Sequence, residues 1–300
     1  MVLAVDVEDC EGSLARWIAI GMQKGGVGKT TLATNLAAAL AGGLGLRVLV
    51  LDFDGQRNAT VGLLGSAPDH VPTIESVLRE AVPLSAAMIR TGFAPRAELY
   101  LVPGTRGLTA WEPEIRDWNS AALRFREVLR SGLPSDDGGR TDDFDVVLID
   151  TPPAGGLWLQ TALTVADGYI VVAQCERYSA EGVQMIQETA RRIREDARLN
   201  PDLVLDGFVV NAMKARRANP HAFLEAYRAA FPDAFLEPPI PDFSGISDAA
   251  TNGVPVEFAA RWSKEAKVFR QLADALNDRL ALGGVNTTDH VPAVAPGETV

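Results

Sequence analysis

Cysteine is almost missing from this 300-residue chain, which holds only Cys10 and Cys175. Two isolated thiols exclude a disulfide framework and a thiolate metal cage. They also lack the pairing that an iron–sulfur reductase would need. Long apolar runs are absent too: none approaches the roughly 18 to 20 residues of a membrane-spanning helix. The first residues carry Asp6, Glu8, Asp9 and Glu11 and no basic cluster, so no secretory leader is read there and a cytoplasmic address is expected. Histidine is scarce. His70, His221 and His290 sit beside prolines, with no partner at ligand or catalytic spacing. Aromatics make up 7% of the chain, and Trp111, Trp118 and Trp158 are expected to pack helices rather than stack bases.

Acid exceeds base by 11 charges, but the excess is local. Residues 1–12 and 136–145 each carry −4 and the segment from 281 onward carries −2, leaving −1 for the rest. Two basic stretches stand out in that near-neutral body. Lys214, Arg216, Arg217 and Arg228 face only Glu225, and Arg261, Lys264, Lys267 and Arg270 face only Glu265. Either stretch reads as a solvated helix face or as a patch for polyanions.

The most specific feature is Lys24-Gly25-Gly26-Val27-Gly28-Lys29-Thr30-Thr31, directly after the apolar run from Trp17 to Met22. A strand, a glycine-rich turn and a helical run from Leu32 aim backbone N–H groups and a positive helix end at one point, which suits a phosphate. Glycines let those amides come close. Lys29 is placed to neutralise phosphate oxygens, and the Thr30 hydroxyl to reach Mg²⁺. The general pattern would put glycine at position 23; this chain has Gln23 there and an additional lysine, Lys24. From the far end of the loop Lys24 is poorly placed for the phosphates that Lys29 serves. It is read as serving a nucleotide held by a neighbouring subunit.

Short, continuously apolar, β-branched runs cover 47–52, 99–102, 145–150, 169–173 and 207–211. They alternate with helical patterns at 32–41, 73–79, 121–129, 180–197, 220–230 and 263–282. Such alternation predicts an α/β doubly wound, mostly parallel sheet with helices on both faces and ligands at the carboxyl ends of its strands. The expected organisation is an acidic extension over 1–14, one P-loop ATPase domain over 15–282 and an irregular tail over 283–300. Residues 131–143 read as a loop.

Two strand ends carry acids. Asp52 and Asp54, two apart, point to one side if the segment is extended, and one of them suits orienting an attacking water. An Asx-turn is the plainer reading of Asp54 before Gly55. Asp150 closes the run Val146 to Ile149, where an outer Mg²⁺ anchor sits in such ATPases.

Together these segments resemble the ParA/MinD group of deviant Walker A ATPases, and more closely ParA-type DNA partition ATPases. The likeness rests on the two-lysine loop, 52–60, 99–104 with Leu108, 148–153, 174–182, and Ile240-Pro241 followed by 253–256. It implies ATP and Mg²⁺ as cofactors and a homodimer in the ATP state. In that dimer Lys24 crosses to the partner's phosphates, Lys29 and Thr30 act within their own loop, and Gly25, Gly26, Val27, Gly28 and Thr31 complete the cradle. It further implies Asp54 on the hydrolytic water with Asp52 beside it in the metal shell, Asp150 on a metal-bound water, Asn211 at the adenine edge and Pro241 against the base. The implied partners are non-specific DNA, through Lys214, Arg216, Arg217, Lys264, Lys267 and Arg270, and a ParB-like activator of a slow ATPase. Gly55 and Ala173 replace prolines common in the group. Only about fifteen residues precede the first strand, so operator binding by an N-terminal helix-turn-helix is not expected. A positioning ATPase for another cargo is the alternative. A MinD-like membrane role would need a basic amphipathic C-terminal helix, and 283–300 has two prolines and no Lys or Arg.

Overall fold

Every apolar run read as a strand is one, and each lies buried because parallel strands are covered on both faces. The structure is a computed structural model and describes residues 15–93, 97–131, 144–213 and 220–282. Its strands are β1 (Arg16–Gly21), β2 (Val48–Asp52), β3 (Ile89–Arg90), β4 (Leu99–Val102), β5 (Val146–Asp150), β6 (Gly168–Gln174) and β7 (Val204–Asn211). They form one seven-stranded sheet in the order β3-β4-β2-β5-β1-β6-β7. All neighbours run parallel except the two-residue β3, which pairs antiparallel with β4.

The helices are α1 (Lys29–Gly43), α2 (Asn58–Leu64), α3 (Ile74–Leu78), α4 (Leu84–Ala87), α5 (Gly107–Trp111) and α6 (Trp118–Arg130). They continue with α7 (Leu157–Val165), α8 (Arg177–Glu195), α9 (Pro220–Ala230), α10 (Ser244–Thr251) and α11 (Ser263–Leu280). Helix α1 is buried from Leu32 through Ala41, which explains a sequence that is apolar on every side. The Asn35 side chain ties it to the far end of the chain by accepting from the Val256 amide at 2.9 Å. Helices α2, α4, α5, α7 and α10 were not legible beforehand. The nine residues of α7, almost all buried, show no polar stripe to set a period.

Trp158 packs as expected, against Phe53, Trp111 and Phe125 with centroids 5.6 to 6.4 Å apart, and its indole N–H donates to the Leu108 carbonyl. Trp118 does not: at the start of α6 it is 38% exposed. The segments 1–14, 283–300 and nearly all of the 131–143 loop lie outside the described residues.

The order of strands places β1 between β5 and β6, so the loop leaving β1 is flanked by the ends of both neighbours. Register brings Ile20 beside Asp150, and Asp52 beside Asp150, at one rim of the sheet.

Behind Asp54 the backbone is strained. Arg57 holds φ 60° and ψ 31°, a left-handed conformation unfavourable for a side-chain-bearing residue, and its Nε is buried without a hydrogen-bond partner. Replacing Arg57 with glycine removes both penalties, so Arg57→Gly is expected to stabilise the fold by about 1 kcal/mol. A urea melt with unchanged slope and a higher midpoint would bear this out; a lower midpoint would mean the side chain holds the loop.

Candidate functional site

The phosphate loop is held open by hydrogen bonds to its carbonyls. Gln174, at the end of β6, donates from Nε2 to the Gly26 carbonyl at 3.2 Å. Asn211, at the end of β7, donates from Nδ2 to the Val27 carbonyl at 2.7 Å. Lys29 Nζ donates to the Lys24 carbonyl at 3.2 Å. In a planar trans peptide the N–H of the next residue points opposite to the carbonyl. Each tether therefore turns one amide of the loop, from Gly25, Val27 or Gly28, away from the protein side chain that pins it. Glycine at 28 is required twice over: its φ is 94°, and a Cβ there would collide with the Asn211 amide.

Lys29 opens α1 and is only 6% exposed. Burial lowers its pKa, while the charges of Asp150 and Asp54 oppose that shift. These three groups thus lie within electrostatic reach of one another. Thr30 donates its hydroxyl to Asp150 Oδ2 at 2.7 Å. The other oxygen of Asp150, Oδ1, is buried with no hydrogen-bond partner. Burial, then the neighbouring Asp52 charge, push the Asp150 carboxyl well above the usual range. A buried carboxylate with an unused oxygen beside a threonine hydroxyl fits a hydrated divalent cation, whose charge would reverse that shift. Among the described residues, no group of three or more His, Cys, Asp and Glu side chains is placed to hold a metal. A cation at this site therefore needs phosphate and water ligands, as Mg²⁺ prefers.

Asp52, expected in the metal shell, has both of its oxygens taken by protein donors. Its Oδ1 accepts from the Asp54 amide at 3.1 Å, and its Oδ2 from the Thr60 amide at 2.8 Å and the Thr60 hydroxyl at 2.6 Å. Thr60 in turn accepts from the Gly104 amide at 2.9 Å. Both oxygens are thus engaged by the loop that follows β2, and Asp52 anchors that loop. Burial pushes its carboxyl up to about 6, against the pull of the three hydrogen bonds. Asp54 makes the Asx-turn that its sequence suggested, accepting from the Gln56 amide at 2.9 Å, and it still sits near Lys29.

Asn211, expected at the adenine edge, ties β7 to the loop through its side-chain amide. Pro241 lies beside it, in a bridge with Met213. The tether from Gln174 was not foreseen, and nothing in a lone glutamine at a strand end announces it. Gln23, which stands in the place of the loop's first glycine, donates to the Thr189 hydroxyl at 2.7 Å and packs against Gly155. The Lys24 ammonium pairs with Glu176 Oε1 at 2.7 Å.

The basic stretches divide. Lys264 and Lys267 are exposed, three residues apart on α11. Arg270, expected beside them, pairs with the nearly buried Glu257 at 2.8 Å, which compensates its charge in place. Lys214, Arg216 and Arg217 lie outside the described residues.

A parallel sheet with a two-lysine phosphate loop at its switch point defines a P-loop nucleoside triphosphatase of the ParA/MinD type. Comparison with known proteins narrows this. Residues 15–205 match the AAA_31 family model, described as an AAA domain. Over 268 residues the chain is 33% identical to the chromosome partitioning protein ParA of Myxococcus xanthus, covering 89% of each. Over 261 residues it is 32% identical to the sporulation initiation inhibitor protein Soj of Bacillus subtilis, covering 87% of this chain and 97% of that one. Among solved structures, cobyrinic acid a,c-diamide synthase of Mycobacterium smegmatis with ADP and magnesium superposes with a TM-score of 0.70. It is 29% identical and spans 94% of this chain and 100% of its own. The chain belongs to the ParA/Soj family of partition ATPases.

Loss of one loop tether should loosen the amide cradle. Asn211→Ala is expected to weaken binding of ADP with Mg²⁺ about fivefold to tenfold, the worth of one buried hydrogen bond. Calorimetric titration checks this; unchanged affinity would show that the tether does not shape the loop.

Proposed function

We propose that the chain is an ATP-dependent DNA partition switch. It binds ATP with Mg²⁺, closes into a homodimer, holds DNA without sequence preference and hydrolyses ATP when a ParB-like partner stimulates it in the cytoplasm. The observation that carries this reading is the divergence of the two loop lysines. Lys29 Nζ turns back onto the Lys24 carbonyl of its own loop, whereas the Lys24 ammonium pairs with Glu176 in the turn after β6, its side chain 27% exposed. An ammonium so placed suits the phosphates of a second copy better than those of its own subunit.

The loop amides from Gly25 to Thr31 and the Lys29 ammonium take the phosphates. Bound Mg²⁺ supplies neutralisation of the developing phosphate charge. Thr30 and Asp150 hold the hydrated ion, and Asp54 orients the attacking water. Lys24 completes the site from the other subunit, adding a positive charge where a GTPase would receive an arginine finger. Dimer formation thereby depends on the γ-phosphate, and hydrolysis dissolves it. Asn211 and Pro241 flank the adenine side, with the Asn211 amide shared between loop and base.

Two variants separate these steps. Lys24→Ala is expected to remain monomeric in ATP and Mg²⁺, and Asp54→Ala to accumulate as a dimer that does not turn over, both by analytical ultracentrifugation. Normal turnover by either would contradict the assignment. On the DNA side, the double variant Lys264→Glu and Lys267→Glu should lose most ATP-dependent retention of duplex DNA at low salt while keeping ATP-dependent dimerisation. Retention equal to that of the unaltered protein would remove α11 from the interface.

A further inference from the structure

Lys24 and Glu176 are 152 positions apart, yet Lys24 Nζ donates to Glu176 Oε1 at 2.7 Å. The contact joins the loop after β1 to the turn after β6, which are neighbours in the sheet. We propose that Glu176 is a latch on the loop: it holds Lys24 in the free subunit and must release it before the lysine can reach a second copy of this chain. The inference rests on the crossing role of Lys24 proposed above.

Several observations support a latch over a fixed structural bond. Glu176 occupies the N-cap position of α8, and its side chain makes no capping hydrogen bond there. Both side chains are 27% exposed. A pair still open to solvent on one side can exchange one anion for another, whereas a fully buried pair would resist opening. The backbone at Lys24 is fixed separately, because its carbonyl accepts from Lys29 Nζ. The side chain can therefore swing without disturbing the phosphate cradle. Gln174, two residues before Glu176, pins the same loop at Gly26, so one short segment both shapes the cradle and restrains its outer lysine.

Charge decides the direction of exchange. A carboxylate offers one negative charge, whereas the phosphate tail of a bound triphosphate on a facing subunit offers several. Without that triphosphate the lysine stays on Glu176 and two subunits that meet have no cation to exchange. With it, two latches open for each dimer formed. Glu176 is thus a positioning residue that sets the threshold for association.

The test uses the full chain with hydrolysis blocked by Asp54→Ala, in ATP and Mg²⁺, and reads the protein concentration at half-dimerisation by analytical ultracentrifugation. Adding Glu176→Gln should lower that concentration about threefold to tenfold, since two half-buried ion pairs no longer oppose association. Affinity for ATP measured well below the dimerisation range should not move, and Glu176→Ala should act in the same direction. An unchanged threshold, or one that rises because Glu176 is needed inside the dimer, would overturn the latch. Monomers throughout in Asp54→Ala, with ATP bound, would instead overturn the crossing role of Lys24 and the latch with it.

Discussion

The site depends on a backbone problem solved at one strand junction. Amides that are to receive phosphate must all face one way, and their carbonyls must then be satisfied elsewhere. Here the carbonyls of Lys24, Gly26 and Val27 are taken by Lys29, Gln174 and Asn211. Two of these donors come from the ends of β6 and β7, on the side of β1 opposite to Asp150. The loop is therefore shaped by the sheet order, which places those strand ends beside it, as much as by its own glycines.

Electrostatics at the opposite side of the loop complete the arrangement. Asp52 and Asp150 end paired strands and are both fully buried, a costly pair without a cation nearby. The structure deals with them differently. Asp52 is hydrogen-bonded by three protein donors and fixes the loop carrying Asp54, whereas Asp150 shares one oxygen with Thr30 and leaves the other unused. Only the second keeps an oxygen without a hydrogen-bond partner. The charges of Asp150 and Asp54 also favour the charged form of Lys29, against the cost of its burial.

Much of this was legible in the sequence for identifiable reasons. Runs such as Val146 to Ile149 announce a strand buried on both faces, and the eight loop residues specify a strand–loop–helix context that the fold reproduces. What stayed hidden depends on contacts between distant segments. Asp52 and Asp54 look equivalent in the sequence, and it is chiefly the amide and hydroxyl of Thr60, eight residues on, that separate their surroundings. Asn211 and Gln174 are plain amides until the sheet brings them to the loop. Arg270 reads as part of a basic face until Glu257, thirteen positions away, is seen to pair with it. Helix α7 escaped because full burial erases the polar stripe by which a helix is recognised.

The account's central claim is that each active centre is completed by the other subunit's Lys24, and complementation between two defective chains tests it most directly. Lys24→Ala retains Asp54, and Asp54→Ala retains Lys24. In a mixed dimer one centre would combine the intact Asp54 of the first chain with the intact Lys24 of the second. The account predicts that mixing the two inactive variants restores ATP turnover that neither shows alone. If Lys24 instead acts within its own subunit, every centre in the mixture lacks one group, and turnover will stay at the level of the separate variants.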